Sequence, residues 1–307
     1  MLLMNSIAKV IKLCTFRAMT KIRIVSPAKA IEKEHVDFSK NFLESHGFEV
    51  ELSTHCLGQH HYFSGTDSER LLDFQEALDD NSVDVILCAR GGYGCLRIVD
   101  DLDFSNFTKN PKLILGFSDV TVFHNHIHGN FNSPTVHASM PLNFSDNSSN
   151  SLQSIVDVIN GKKLKYKISA TSNNKTGSAQ AEIVGGNLAI IYALIGTNSD
   201  IDLDHKILFI EDIGEYVYAV DRMMYALKKS GKLKKLNGLI VGGMTNMSDT
   251  ETPFGKSIET VILDSVDHLD IPVCFNFPAG HLDDNRAIVF GKKACLEVSN
   301  NSVVFEQ

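Results

Sequence analysis

From Lys21 onward the apolar positions switch repeatedly between a continuous or alternating run and a helical spacing. KIRIVSPA (21–28) is short, β-branched and ends in Ser-Pro, so it predicts a strand. Residues 34–46 then carry Val36, Phe38, Phe42 and Leu43 at helical spacing, Gly47 is a C-cap candidate, and FEVELS (48–53) returns to strand. Asp67-Ser68 opens a helix with Leu71, Leu72, Phe74 and Leu78 on one face. VDVILCA (83–89) is a continuous apolar run of the kind found in a buried parallel strand, and KLILGFSD (112–119) is another strand, feeding a helix over Val120–His128. This series predicts a doubly wound α/β sheet whose ligands gather at the carboxyl ends of the strands.

The pattern lapses between about Asn143 and Ser178, where SDNSSNS and SATSNNKTGSAQ supply small polar residues. An interdomain connection is expected there, drawn at 151–177, between an N-terminal domain over 19–150 and a C-terminal domain over 178–307. In the second half, GGNLAIIYALIG (185–196) reads as a Gly-rich turn into a buried helix, and KILFIED (206–212) as a strand. There follow a helix over Tyr218–Ser230, the strand LNGLIVGG (236–243), and a helix opened by Thr252-Pro253 that carries Ile258, Val261, Ile262, Val266 and Leu269. IPVCFN (271–276) is a further strand, and the remainder alternates strands and turns.

A chain of 307 residues is about twice the ~150-residue domain prior, which fits this two-domain division. Asp and Glu number 37 against 29 Lys and Arg, giving a net charge of −8, the wrong sign for a protein that neutralises nucleic-acid phosphates. No apolar run approaches the ~20 residues of a membrane-spanning helix. Residues 1–18 are basic and are read as an extension ahead of a start near Met19; Lys9 and Lys12 interrupt any targeting core and no A-x-A-like site follows. Six scattered cysteines without CxxC spacing suit reduced thiols in the cytoplasm, with Cys88 and Cys274 inside apolar strands.

Several residues could carry chemistry. In ARGGYGCLRIVDDLDF (89–104), Gly91, Gly92 and Gly94 follow a buried strand, where backbone N–H groups can face a ligand. The spacing is not that of a dinucleotide loop, and a tight βα turn explains it equally well. LILGFSDVT (113–121) puts Ser118 at a strand-to-helix junction, as in a nucleophile elbow, with Gly116 two residues before it but Val120 two residues after; a helix N-cap is the equal alternative. Glu211 ends the strand ILFI, with Asp212 and Glu215 as competing acids, and His281 lies in the loop FPAGHLDDN. A serine, an acid and a histidine, each following a strand, fit a hydrolase triad. Of His124, His126 and His128, only the first and last share a helical face, and no acid nearby completes a set, so no metal is expected. His137 in TVHASM either lines the cleft or is satisfied in the core.

Taken together, HYFSGTDSERLLDFQEAL (61–78), ARGGYG (89–94), GFSDVT (116–121), VGGNLAIIYALIGT (184–197), ILFIEDIGE (207–215) with DRMMYAL, TPFGKS (252–257), and PAGH (278–281) with Asn285 resemble the LD-carboxypeptidases and their microcin-immunity relatives over residues 21–298. The resemblance implies an N-terminal Rossmann-like domain and a C-terminal mixed α/β domain in a cytoplasmic homodimer without metal or cofactor. It implies Ser118 as nucleophile, His281 as base and Glu211 as the acid orienting it, with the Asp119 N–H and the Gly91-Gly92 turn as oxyanion donors. Arg90 and Tyr93 become candidate substrate contacts, Arg90 for a carboxylate. The implied reaction removes the terminal D-alanine of a muropeptide tetrapeptide in cell-wall recycling. The alternatives are cleavage of a peptidyl-nucleotide antibiotic and non-catalytic binding of a cell-wall peptide. Cys95 after the glycine loop, and Arg286 and Val289 after LDDN, depart from the family pattern and bear on specificity.

Overall fold

The computed structural model describes residues 19–307, so the extension expected over 1–18 lies outside the described residues. The first half contains β1 (Lys21–Val25), α1 (Lys33–Ser45), β2 (Glu49–Leu52), α2 (Asp67–Asp79), β3 (Val85–Cys88), α3 (Ser105–Lys109), β4 (Leu113–Gly116), α4 (Thr121–Phe131), β5 (Thr135–His137) and α5 (Ser149–Ile159). The second half contains β6 (Lys165–Ser169), β7 (Gly177–Asn187), α6 (Leu188–Ala193), β8 (Ile207–Ile213), α7 (Val217–Lys229), β9 (Gly238–Thr245), α8 (Ile258–Val266), β10 (Val273–Cys274), β11 (Ile288–Phe290), β12 (Lys292–Val298) and β13 (Ser302–Glu306).

The first sheet has the parallel order β2-β1-β3-β4-β5, with β11 antiparallel on the β5 edge. Strand order reverses between β1 and β3, and the loops leaving those two strands flank the crevice where doubly wound sheets bind ligands. The second sheet runs β10-β9-β8-β7 in parallel and then β12-β13-β6 antiparallel. A Rossmann-like parallel unit and a mixed unit are therefore both present. β11, from the C-terminal half, crosses back to complete the first sheet.

One continuous core joins the sheets, since Leu115 and Val136 of the first share a cluster with Ile183 and Phe209 of the second and with Phe290 of β11. α2 and α4 cover the outer face of the first sheet, where Phe74 and Phe123 stack at 4.3 Å. α7 and α8 cover the second through Val220, Leu227 and Ile262. Each such buried side chain is worth on the order of 1.5–3 kcal/mol, so burial of these stripes fixes the layers. Among the described residues no helix is long and apolar enough to cross a membrane.

Three expectations need correction, and one strand is additional to them. The span 151–177, expected as a connection, holds most of α5 and all of β6: Leu152, Ile155, Val156 and Ile159 form a buried helical stripe within polar flanks, and Tyr166 and Ile168 alternate with lysines. Gly185 and Gly186 are not a turn but the end of β7. A Cβ on Gly185 would lie 1.9 Å from the Phe209 carbonyl oxygen, so glycine permits close approach of β8 there. α8 opens at Ser257, whose hydroxyl accepts the Thr260 N–H, and not at Thr252-Pro253. β5 was not anticipated, being only three residues long.

Candidate active site

β4 ends in the turn that carries Ser118, whose φ of +61° lies in the left-handed region rarely used by residues other than glycine. That backbone is held from three sides. A Cβ on Gly116 would lie 2.8 Å from the Val120 side chain, so only glycine lets the turn fold back on itself. The Asp119 carboxylate accepts the Cys95 N–H at 2.8 Å, fastening the turn to the glycine loop after β3. The Thr121 hydroxyl accepts the Asn187 N–H at 2.9 Å, fastening it to the end of β7 in the other sheet. Burial raises the Asp119 pKa, against the opposing bond from Cys95.

Gly91 abuts this turn: its missing Cβ would stand 3.2 Å from Ser118 Cβ and 3.3 Å from the Asp119 nitrogen. The N–H groups of Gly91, Gly92 and Asp119 have no acceptor among the described residues, a cluster of free donors beside the serine. The loop leaving β1 closes the same crevice, the Lys29 N–H donating to the Gly91 oxygen at 3.3 Å. A Cβ on Gly92 would meet the Tyr62 hydroxyl at 2.8 Å and the Lys29 side chain at 3.1 Å. The Lys29 ammonium sits 4.9 Å from the Tyr62 ring centre and pairs with no carboxylate among the described residues. Arg90 donates to the Ala30 oxygen at 2.9 Å, and Tyr93 is exposed at the rim.

Glu211 lies near the carboxyl end of β8, where the strand's register against β9 shifts between Ile210 and Asp212, and is fully buried. Its Oε2 lies 2.6 Å from His281 Nδ1, leaving Nε2 as the free ring nitrogen. The histidine loop is pinned by the Gly280 N–H on Asn285 Oδ1 at 2.7 Å and by the Thr245 hydroxyl on the His281 oxygen, also at 2.7 Å. A Cβ on Gly280 would collide with Glu211 Cβ at 2.7 Å, so the close approach of loop to acid requires glycine. Burial disfavours the charged ring, but the Glu211 charge and hydrogen bond, with Asp212 behind them, leave the His281 pKa raised.

The His281 ring packs 4.8 Å from that of Phe117, the residue before Ser118, which brings the histidine alongside the serine turn. Ser118 Oγ and His281 Nε2 do not hydrogen-bond to each other in this structure. Of the competing acids, Asp212 points away from His281, accepting Asn187 Nδ2 and the Ile213 and Ala189 N–H groups at 2.9 Å each. Burial, with the neighbouring Glu211 charge, pushes its pKa up to about 6. Glu215 forms no hydrogen bond or ion pair with His281, which is paired with Glu211.

The histidines of the H-x-H-x-H run and His137 are each engaged separately. His124 bonds Thr135 Oγ1 and the Gly116 oxygen, His126 bonds Ser199, and His128 pairs with Glu182. Burial brings His124 down to about 4, a neutral ring supporting the β4 end. His137 is buried against Asn285 at 3.2 Å. Among the described residues no group of three His, Cys, Asp or Glu could hold a metal ion.

Sequence reasoning passed over Lys29, Thr121, Asn187 and Arg70. The Arg70 side chain is buried, donates to the Gly94 oxygen at 3.0 Å and holds the glycine loop from beneath, with Asp67 as its carboxylate partner. The available signals were Arg70 inside a helical apolar stripe, where a charge needs a partner, and Asn187 directly before a buried helix.

Residues 22–138 match the LD-carboxypeptidase N-terminal domain and residues 180–296 the LD-carboxypeptidase C-terminal domain. The chain is 33% identical over 290 residues to the probable murein peptide carboxypeptidase of Bacillus subtilis, covering 93% of this chain and 91% of that protein. To the murein tetrapeptide carboxypeptidase of Pseudomonas aeruginosa it is 27% identical over 293 residues, covering 90% and 93%. The crystal structure of muramoyltetrapeptide carboxypeptidase from Oxalobacter formigenes superposes with a TM-score of 0.85 at 27% identity, covering 94% of this chain and 98% of that one. The structure of MccF in complex with glutamyl sulfamoyl guanosine gives 0.82 at 19% identity, with 94% and 96% covered, a likeness of fold.

Proposed function

Because the chain belongs to the LD-carboxypeptidase family, we propose that it is a serine-type carboxypeptidase that removes the terminal D-alanine of a murein tetrapeptide, cleaving after an L-configured centre. The observation that carries this reading is the buried Glu211 carboxylate on His281 Nδ1, beside a serine held at positive φ and a cluster of free N–H groups.

In this reading His281 Nε2 takes the proton of Ser118 Oγ as the hydroxyl attacks the scissile carbonyl. Glu211 fixes the tautomer and stabilises the imidazolium that forms. The N–H groups of Asp119 and of the Gly91-Gly92 turn receive the oxyanion, a contribution of about 3–4 kcal/mol per donor in comparable sites. The imidazolium then protonates the departing amine, and water, activated by the same histidine, hydrolyses the acyl-enzyme. Contacts between nucleophile and base commonly tighten only when substrate is bound, which accommodates the missing Ser118–His281 hydrogen bond. The leaving residue carries a free carboxylate, and the cations at that end of the crevice are Lys29 and Arg90. A cytoplasmic place in cell-wall recycling follows if the substrate is a released muropeptide.

The deciding experiment is incubation with purified murein tetrapeptide and assay of free D-alanine. Release of D-alanine is expected, with the L-alanine analogue slower by ~10²-fold or more, since a misplacement of about an ångström costs that much. Equal cleavage of both would leave a serine hydrolase but remove the L,D assignment, and binding without turnover would favour the peptide-binding alternative.

A further inference from the structure

At the end of the first sheet opposite Ser118, the two sheets meet around a cavity of about 650 Å³. Leu113, the first residue of β4, lines it, whereas Ser118 follows the other end of that strand. The length of the four-residue strand, roughly 13 Å, lies between the two places. The walls are apolar: Leu113, Pro134 and Val289 come from the first sheet and its approaches, Val158 and Ile159 from the end of α5, and Leu164 from the approach to β6. This volume falls within the about 300–1,000 Å³ of small-molecule sites.

The rim is cationic. The run Gly-Lys-Lys occurs at 161–163 and again at 291–293, leading into β6 and β12. Both glycines adopt positive φ, +69° and +79°, and both turns deliver their lysine pair to the same cavity. Lys162 is paired with Asp157 at 2.8 Å, and the nearby Glu306 is paired with Lys165 at 2.5 Å. Lys163, Lys292 and Lys293 form no ion pair among the described residues. Three unmatched ammonium groups around an apolar floor, on a chain of net charge −8, make a local field opposite in sign to the whole. A two-fold contact with a second copy centred on this face would set the lysines against their own copies, which argues against self-association here. An apolar body with an anionic end satisfies both floor and rim.

We propose that this seam cavity binds a small amphipathic anion, its apolar part against Leu113, Val158 and Val289 and its carboxylate or phosphate at Lys163, Lys292 and Lys293. The ligand contacts residues of both sheets, so occupancy stabilises their junction by mass action. The site is separate from the proposed catalytic crevice.

Titration calorimetry and thermal unfolding of the full chain test this with dodecanoate, dodecyl phosphate, dodecanol and inorganic phosphate, each below its micelle concentration where it has one. Saturable one-to-one binding of at least one dodecyl anion is expected, about tenfold or more tighter than dodecanol, with a raised Tm and no binding of inorganic phosphate at the same concentration. Which anion binds distinguishes a carboxylate from a phosphate head. The triple variant Lys163→Gln/Lys292→Gln/Lys293→Gln changes only exposed side chains; it is expected to keep the ligand-free Tm and the peptidase rate while losing about tenfold or more in anion affinity. Equal binding of dodecanol, undiminished binding by the triple variant, or no binding by any dodecyl probe would each overturn the proposal.

Discussion

Glu211 and His281 are joined by a 2.6 Å hydrogen bond between a fully buried carboxylate oxygen and imidazole Nδ1. The pair has a defined pH signature. A general base works as the neutral ring, and the His281 pKa is raised, so kcat/KM should climb with pH through an inflection above the ordinary histidine value of about 6.5. In Glu211→Gln the burial that disfavours the charged ring is opposed only by the more distant Asp212 charge. The inflection should then move down, with kcat falling about 10³–10⁴-fold as the tautomer is lost. An unmoved inflection would separate Glu211 from the reaction. The stability sign is the reverse: the charged pair supports the fold below the ordinary value, and that support is lost as pH rises through the raised one, which urea unfolding at several pH values can read.

Ser118 is expected to be all or nothing. Ser118→Ala removes a hydroxyl that makes no protein hydrogen bond, so the fold and peptide binding should persist while kcat falls by ~10⁴-fold or more. In the proposed mechanism Ser118 and His281 share one proton transfer, so adding His281→Ala should cost little further. Multiplicative losses in the double variant, measured by D-alanine release, would show that the two residues act independently.

Gly280 gives a geometric test of the acid–base contact. In Gly280→Ala the new Cβ meets Glu211 Cβ at 2.7 Å and Oε2 at 2.9 Å, at a φ of +109°. Gly255→Ala also has a positive φ, +85°, but nothing within 4 Å of its Cβ. Both should lose about 1–3 kcal/mol of stability to backbone strain. Only Gly280→Ala should also lose ~10²-fold or more in kcat, because it displaces the carboxylate from the ring. Matching rates in the two variants would mean that the loop position does not govern the chemistry.

The sequence made the strands of the parallel cores legible because VILCA and ILFI are short, continuous apolar runs rich in β-branched residues, each bounded by polar or glycine-rich segments. It also singled out Ser118, Glu211 and His281 beside apolar runs, and the structure brings Glu211 and His281 into hydrogen-bond contact. What it did not disclose was set by long-range contacts. α5 was hidden because its stripe is short and framed by serines and asparagines, and β6 because Lys165, Lys167 and Ser169 leave only two apolar positions between them. The return of β11 to the first sheet depends on pairing with His137 and its neighbours, about 150 residues away in the chain, which no local period records. Lys29 was passed over for the same reason. It is an ordinary lysine in the loop after β1 until β1 and β3 are set side by side and Gly92 is found against it.

That juxtaposition leads to the last prediction. In the proposed reaction the leaving D-residue carries a carboxylate that needs a cation or donor on its side of the scissile bond. Arg90 already spends one amino group on the Ala30 oxygen, whereas the Lys29 ammonium rests over Tyr62 with no carboxylate partner among the described residues. Lys29→Met keeps much of the aliphatic contact with Gly92 and removes only the charge. A charge-assisted hydrogen bond is worth about 1.5–3 kcal/mol, and because this one is partly open to solvent the lower end applies. Thus kcat/KM for the free-acid tetrapeptide should fall about tenfold. The C-terminally amidated tetrapeptide has no charge for the lysine to meet, so its already low kcat/KM should be the same for Lys29→Met and the native chain. Lys29→Arg should restore part of the discrimination. If Lys29→Met slows both peptides by the same factor, the residue shapes the crevice wall and does not read the carboxylate.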